Sequence, residues 1–230
     1  MLQKNEWLSR QMGKCVYDFD ASNPEVYESQ IFPCENCLVV AKIPSENIKL
    51  FNHLCSFGFK LVDTNIQFYR DFAPLEYSEL GIRIAKTQDE SSVAEVARTS
   101  FLYDRFHIDE NISPEISTKI KSEWAANYFR KLRGDLMIVA EVRGRIVGFL
   151  QMLEAAENSV IIDLIAVRQD HRGLGFARNM IGYAIELYKN KHFLIVGTQL
   201  INSSSIALYQ KIGFLYKSSQ YVLHYHVKVQ

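Results

Sequence analysis

A glycine-rich turn is the segment of this chain whose residue types are best suited to bind an anion. It consists of Arg172, Gly173, Leu174, Gly175, Phe176 and Ala177. The apolar stretch before it predicts a buried strand, and the amphipathic stretch after it predicts a helix. Free N–H groups and the dipole at a helix start favour a negative ligand, and glycines let a phosphate approach the main chain. The pattern predicts a diphosphate site, although a turn without a ligand can have the same composition.

Two common nucleotide-binding patterns do not fit this turn. A dinucleotide fingerprint requires a third small residue where the chain has Arg178, and an acidic residue about twenty positions on is also missing. A phosphate-binding loop of the Gly-Lys-Ser/Thr type is absent from the sequence. Nicotinamide cofactors and nucleoside triphosphates are therefore disfavoured.

A second segment, Asn202–Phe214, combines a helix start with an aromatic residue. Tyr209 lies seven residues after Asn202, which is two turns along the same helical face, so both side chains could flank one extended ligand. Simpler interpretations stay open. Asn202 is a preferred helix N-cap, and Tyr209 could be an aromatic residue of the core.

Strands and helices alternate around these segments and predict an α/β fold with a mixed sheet. A small lobe over residues 1–80 is separated by a loop over 73–80 from a larger domain over residues 81–230. In the lobe we predict a helix between two strands, over 46–57, 37–43 and 60–72. In the domain we predict strands over 82–85, 136–142, 146–153, 159–167, 193–198 and 221–227, and helices over 88–101, 114–132, 178–189 and 203–212.

An internal similarity links the lobe to the domain. A predicted helix ends in Phe57-Gly58-Phe59 and is followed by a strand, and another ends in Ile212-Gly213-Phe214 before the last strand. The two sites are either unrelated helix ends closed by glycine, or signs that the lobe is a degenerate copy of half of the domain.

The composition limits the partners that the chain can have. Lysine plus arginine equal aspartate plus glutamate at 26 each, so no bulk field attracts nucleic acid or an anionic membrane. The first residues lack the apolar core of a secretory signal, and no segment is apolar enough to span a bilayer, so a cytoplasmic protein is expected. Cys34 and Cys37 have the spacing of half a zinc site, but no second pair follows, so we expect reduced thiols and no metal.

The glycine-rich turn resembles a motif of the GNAT acetyltransferases, (Arg or Gln)-x-x-Gly-x-(Gly or Ala), which Arg172, Gly175 and Ala177 match after a strand ending in Ala166 and Val167. The segment from Asn202 resembles the second signature of that family. The resemblance implies a mixed, mostly antiparallel sheet flanked by helices, with acetyl-CoA as the acyl donor bound at the strand end and the turn.

The same resemblance implies roles for single residues. Asn202 would bind the pantetheine arm, and Tyr209 would protonate the departing thiolate, since a phenol with a pKa of about 10 is protonated at neutral pH. A backbone N–H among Leu164, Ile165 and Ala166 would stabilise the tetrahedral charge. Asp163 and, below it, Glu154 are candidate bases for the amine, although Glu154 could equally be a solvated charge at a strand end.

The N-terminal lobe extends the resemblance to the dTDP-fucosamine acetyltransferases. Phe101–His107 is similar to a segment of that family that shapes the acceptor pocket, with Asp104 where that family has serine. By this resemblance Arg105 would bind the diphosphate of a nucleotide-linked amino sugar, and Tyr103 or Phe106 would stack on its rings. Arg105 could instead form a surface ion pair. A homodimer, another small amine or protein N-terminus as acceptor, and a non-catalytic acyl-CoA-binding module are further expectations.

Overall fold

The computed structural model describes residues 2–21, 36–155 and 158–227. Its strands are β1 (Leu2–Lys4), β2 (Cys15–Phe19), β3 (Cys37–Pro44), β4 (Lys60–Asp71), β5 (Ile82–Ile84), β6 (Leu136–Val142), β7 (Arg145–Glu154), β8 (Ser159–Val167), β9 (Phe193–Gln199) and β10 (Leu215–Val227). Its α-helices are α1 (Glu6–Met12), α2 (Ile48–Ser56), α3 (Glu90–Ser100), α4 (Arg105–Ile108), α5 (Pro114–Ala126), α6 (Phe176–Leu187) and α7 (Ser203–Lys211).

All ten strands form one sheet in the order β1-β2-β3-β10-β4-β9-β8-β7-β6-β5. The neighbouring pairs β2–β3 and β8–β9 are parallel, and the other pairs of the described sheet are antiparallel. The predicted mixed, mostly antiparallel sheet is confirmed. β6 and β7 form a hairpin, and the two residues of its tight turn, Arg143 and Gly144, both have the positive φ that such a turn favours.

In the middle of the sheet, one strand–helix–strand arrangement occurs twice, once in the predicted lobe and once in the predicted domain. β3, α2 and β4 follow one another in the lobe as β9, α7 and β10 do in the domain. Each last strand crosses to the other unit, so that β10 lies between β3 and β4, and β4 lies between β10 and β9. This is the arrangement expected if the lobe repeats half of the domain.

Helices cover both faces of the sheet. Residues of α6 and α7 pack with β4, β8 and β9 in one buried cluster, and α2 packs against β3 and β10 in another. On the opposite face, α3 and α5 pack over β6 to β8, and α1, α4 and α5 pack over β3 and β10. Val222 of β10 belongs to the cluster of α4 and α5, whereas its neighbour Leu223 belongs to that of α2, which shows how adjacent residues alternate between faces.

Several boundaries differ from the sequence predictions. β1, α1, β2 and α4 were not predicted. β10 begins six residues earlier than the predicted Tyr221, because the polar residues 217–220 hide a strand that pairing with β4 stabilises. Within the three described ranges, no helix is both long and apolar enough to cross a membrane. Cys37 is buried at the start of β3, whereas Cys34 lies outside the described residues.

Candidate active site

The site begins where two parallel strands separate. β8 pairs with β9 from Ser159 to Ile162 and no further. At that point the pairing of β8 with β7 has a bulge, since Gln151 lies opposite Leu164 and Met152 lies opposite Ile162, which leaves Asp163 as the extra residue. A bulge bends a strand and increases its local twist. The end of β8 therefore diverges from β9 and opens a gap through the sheet.

A cavity of about 580 Å³ lies in this gap. It extends from the glycine-rich turn past the diverging strands toward α5. Most of the predicted donor-site residues line it, namely Leu164, Ile165, Ala166, Val167, Arg172, Gly173, Gly175, Phe176, Ala177, Asn202 and Tyr209. The structure thus brings together two segments, 164–177 and 202–209, that the sequence analysis assigned to one ligand.

Backbone geometry at the turn suits a close-fitting anion. Gly173 and Gly175 have φ of 78° and 86°, and Gly175 is the N-cap of α6. A Cβ built at either glycine would meet no atom within 4 Å, so both positions face open space. Arg172 donates hydrogen bonds to the carbonyl oxygens of Val167 (3.0 Å) and Ser100 (3.1 Å), which ties the turn to the end of β8. Leu174 is 66% exposed and does not line the cavity.

Asn202 and Tyr209 both lie on α7. Asn202 caps the helix, because its Oδ1 accepts from the backbone N–H of Ser205 at 3.3 Å and from Ser204 Oγ at 3.0 Å. Asn202 is therefore a helix cap, as the simpler interpretation proposed, and it also lies on the cavity wall. Tyr209 is 2% exposed, and its ring packs 5.5 Å from that of Phe214. Burial raises the pKa of the Tyr209 phenol, so the hydroxyl is protonated at neutral pH.

Asp163 lines the cavity but is fully engaged by neighbouring donors. Arg133 donates to both carboxylate oxygens, at 2.7 and 2.6 Å, and Trp124 Nε1 and Gln151 Nε2 each donate at 3.1 Å. Its two oxygens already accept four hydrogen bonds, which leaves little acceptor capacity for a proton of the substrate. The geometry favours a positioning role for Asp163 over the predicted role of base.

Glu154 lies at the far end of β7. Its carboxylate accepts a hydrogen bond from Lys191 Nζ at 2.8 Å, and it is not among the residues that line the cavity. This position matches the alternative interpretation of Glu154 as a solvated charge at the end of a strand. A direct role as base is not supported, because the reacting atoms would have to lie near the gap between β8 and β9.

The three residues predicted to bind the acceptor occupy different positions. Tyr103 lines the cavity and is 44% exposed. Phe106 is 1% exposed among residues of α1 and α5, so its ring is not free to stack on a ligand, which leaves Tyr103 of the two predicted alternatives. Arg105 does not line the cavity. Its guanidinium lies 4.7 Å above the ring of Phe106, and among the described residues its Nη1 atom is buried without a hydrogen-bond partner.

Asp104, from the segment expected to shape the acceptor pocket, also lines the cavity, as does Lys121, which the sequence analysis missed. Lys121 is 8% exposed, and its Nζ lies 5.0 Å from the ring centroids of both Phe101 and Trp124. Burial lowers the pKa of Lys121. A lysine on the inner face of an amphipathic helix was the available sequence signal.

A separate buried cluster joins α4 to the end of β10. Asp109 Oδ2 lies 2.6 Å from His224 Nδ1 and 2.7 Å from His226 Nε2, and Lys14 Nζ lies 3.2 Å from His226 Nδ1. These three acidic and histidine groups could in principle hold a metal ion. With Lys14 donating to Nδ1, however, neutral His226 carries its proton on Nε2 and donates it to Asp109. A hydrogen-bond network explains the contacts.

Comparison with known proteins agrees with this geometry. The model of the acetyltransferase (GNAT) family matches residues 100–214, which is half of the chain. The spore coat polysaccharide biosynthesis protein SpsD of Bacillus subtilis is 33% identical over 138 residues, which cover 59% of this chain and 47% of SpsD. The chain therefore spans about half the length of this curated relative.

Two solved structures have a similar fold at low sequence identity. A GCN5-related N-acetyltransferase from Sphaerobacter thermophilus matches with a TM-score of 0.58 and 17% identity, over 84% of this chain and 61% of that one. A conserved protein of unknown function from Staphylococcus epidermidis matches with a TM-score of 0.61 and 13% identity, over 82% and 72% of the two chains. The family match, the strand separation and the fold together lead to one conclusion: the chain belongs to the acetyltransferase (GNAT) family.

Proposed function

We propose that this protein transfers an acetyl group from acetyl-CoA to a primary amine, with the amino group of a nucleotide-linked amino sugar as acceptor. One observation supports the transfer of an acetyl group from acetyl-CoA. A single cavity is lined by the glycine-rich turn, by the diverging end of β8 and by Tyr209. An anion site, a strand N–H that is not paired with β9 and a protonated phenol are what binding and cleaving a thioester require.

Each part of the cavity would serve a different part of the donor. The N–H groups at the start of α6 would hold the diphosphate, and the open space beside Gly173 and Gly175 would admit it. The pantetheine arm would extend between β8 and β9 past Asn202. The thioester carbonyl would then lie against a backbone N–H in residues 164–166 that points away from β7, where β8 no longer pairs with β9.

The reaction follows from this placement. The neutral amine attacks the thioester carbon, and the backbone N–H stabilises the charge that develops on the carbonyl oxygen. The carbon–sulfur bond then breaks, the departing thiolate takes the proton of Tyr209, and the proton that the nitrogen must lose to form the amide returns through solvent to Tyr209. Arg133 and Asp163 would keep the bulge of β8 rigid, since their ion pair links the residue at the bulge to the loop after α5.

The acceptor assignment has two supports. The relative SpsD is named for polysaccharide biosynthesis, a process that consumes modified sugars. The end of the cavity that faces α4 and α5 is lined by Tyr103, Asp104 and Lys121, which offer a stacking surface and groups of both charges. Arg105 is set behind this wall, so it would meet a phosphate only if the side chain moved.

A substrate panel tests the proposal. Free thiol is measured after mixing the protein and acetyl-CoA with dTDP-linked amino sugars, aminoglycosides, polyamines and peptides with free N-termini, and acetylated products are identified by mass spectrometry. We expect turnover with at least one dTDP-amino sugar, with kcat/KM at least tenfold above that for the other classes. A higher value for polyamines or peptides would overturn the acceptor assignment. Acetyl-CoA binding without acetylation of any amine would overturn the transferase assignment.

A further inference from the structure

A buried carboxylate on β4 has no role so far. Asp63 is 9% exposed, and among the described residues no side chain hydrogen-bonds to it or forms an ion pair with it. The pairing of β10 with β4 shifts register next to it, between Val222 and Leu223, so Asp63 lies at a bulge. Bulges are frequent beside active sites, where they direct a side chain.

The sheet register shows which way Asp63 points. Asp63 lies beside Val222, and Val222 lies beside Lys42 of β3. Val222 packs in the cluster of α4 and α5, so Lys42 and Asp63 share that face. The carboxylate therefore faces the helices that carry Lys121 and Asp104.

Asp63 also stands next to the wall of the cavity. Lys121 and Asp104 line the cavity, and both act electrostatically on Asp63. Two residues further along the same face, Asn65 donates a hydrogen bond to the carbonyl oxygen of Thr198, another lining residue, at 3.3 Å. Asp63 itself is not among the lining residues, so water would relay a proton between the cavity and its carboxylate.

The other carboxylates on this side are already engaged. Asp163 accepts four hydrogen bonds, and Asp104 accepts from the N–H of Phe106 at 3.0 Å and pairs with His107 Nδ1 at 2.7 Å. Asp63 accepts one hydrogen bond, from the backbone N–H of Thr64. Its remaining acceptor capacity is available to a ligand.

We propose that Asp63 is the base that takes the proton which the acceptor's ammonium group must lose before it attacks the thioester. This inference rests on the proposed transfer to an amine. One N–H bond of the ammonium breaks, and its proton passes through water to form an O–H bond on Asp63. The nitrogen lone pair then forms the C–N bond, the carbon–sulfur bond breaks, and the thiolate takes the proton of Tyr209. The nitrogen releases a second proton to solvent to give the neutral amide, Tyr209 regains a proton from solvent, and Asp63 releases its own to solvent.

The surroundings suit this role. Burial raises the pKa of Asp63 to about 6. The negative charge of Asp104 also raises this pKa, whereas the positive charges of Arg105 and Lys121 lower it. Lys42 of β3, Asp18 of β2 and both His224 and His226 of β10 lie on the same face, and Asp109 contacts both histidines from the segment after α4. A carboxylate with a pKa near 6 is ionised at neutral pH and is a stronger base than an ordinary aspartate.

The test compares Asp63→Asn with Asp18→Asn, which removes a carboxylate from the same face at a greater distance from the cavity. Rates are measured from pH 6 to pH 10 at saturating acetyl-CoA with an amine that the wild-type protein acetylates. We expect kcat of Asp63→Asn to fall about 10²-fold to 10³-fold at pH 7, with unchanged acetyl-CoA affinity by calorimetry. The deficit should shrink as pH approaches the pKa of the amine, because less acceptor then needs a base. Asp18→Asn should stay within threefold of wild type.

Three other outcomes have distinct meanings. A nearly normal rate for Asp63→Asn at pH 7 would exclude Asp63 as the base while leaving the transferase assignment intact. A deficit independent of pH, with a lowered melting temperature, would indicate a structural role and equally overturn the inference. A wild-type protein that acetylates no amine would overturn the proposed function and this inference with it.

Discussion

Asn47 and Asn202 cap α2 and α7 with almost the same backbone geometry, φ −88° and ψ 62° in one case and φ −86° and ψ 68° in the other. Each side chain accepts the N–H three residues on. Seven residues after each cap comes a residue that is 2% exposed, Leu54 in the lobe and Tyr209 in the domain. The two units therefore share a scaffold, and the domain alone carries a hydroxyl at this position.

Tyr209→Phe keeps the ring and its packing against Phe214 but removes the proton donor. We expect kcat to fall about 10²-fold, toward the lower end for general acid catalysis because water can partly replace the phenol. Acetyl-CoA affinity and the melting temperature should change little. Tyr183→Phe on α6, outside the cavity lining, serves as the control and should keep full activity. A fully active Tyr209→Phe protein would show that Tyr209 is not the general acid.

Gly175→Val should abolish tight binding of acetyl-CoA, because its side chain would occupy the open space at the start of α6. The positive φ of 86° also makes the substitution cost stability, about 1–2 kcal/mol. Gly13→Val is a matched control, since Gly13 has φ of 65° and also faces open space, but at the end of α1. Calorimetry should show lost affinity for Gly175→Val alone. Equal affinities in the two variants would contradict the assignment of the turn.

Asp163→Asn and Arg133→Gln should have similar effects, because each breaks the same ion pair. We expect each to lower stability by about 1–2 kcal/mol, since Arg133 is partly exposed, and the double variant to lose little more than either single one. Urea unfolding of the four proteins gives the coupling energy. If Asp163→Asn lost activity at full stability while Arg133→Gln did not, Asp163 would be acting as a base after all.

His224 should make the fold sensitive to acid. Burial lowers its pKa to about 4, against the hydrogen bond with Asp109, so the unfolded chain binds its proton more readily than the native one. Stability contributed by neutral His224 is complete above about pH 6.5 and is lost as the pH falls toward 4. Burial would raise the pKa of Asp109, but its bonds to His224 and His226 outweigh that effect and hold it well below the usual range.

The measurement is the difference in unfolding free energy between wild type and His224→Asn, which keeps a donor toward Asp109. From pH 7 to pH 5 the wild-type protein should lose roughly 2 kcal/mol more than the variant. The variant is needed as reference because Asp63, with its raised pKa, titrates with the opposite sign between about pH 4 and 6. Parallel pH curves for the two proteins would show that His224 is not titrating in this range.

Local signals made part of this site predictable. The glycines of the turn, the cap at Asn202 and the apolar periodicity of β8 and α6 depend on neighbours in sequence, and the structure has them where the pattern placed them. The predicted end of α5 was less accurate. α5 ends at Ala126 and not at Leu132, since the residues beyond it form turns in which Lys131 has φ of 57°.

The acceptor side was not predictable in the same way. α4 has four residues, too few for a period, so the sequence could not show that Phe106 turns inward while Tyr103 faces the cavity. Asp63 and Lys121 are 58 positions apart and acquire a common environment through the sheet and α5. The two side chains become neighbours only through tertiary packing, so no short stretch of sequence could show that they lie close together.

The exchange of β4 and β10 at the centre of the sheet also determines the order in which the molecule can assemble. The strand over residues 60–71 finds its two neighbours in segments more than 120 positions later, so these contacts are among the most distant in the chain. Closing such long loops precedes any gain from the contacts, which slows folding. A nascent chain that has emerged only through residue 190 lacks both partners of β4. The lobe is therefore expected to complete its fold only after the last strand has been synthesised, and lobe and domain should unfold in one cooperative transition.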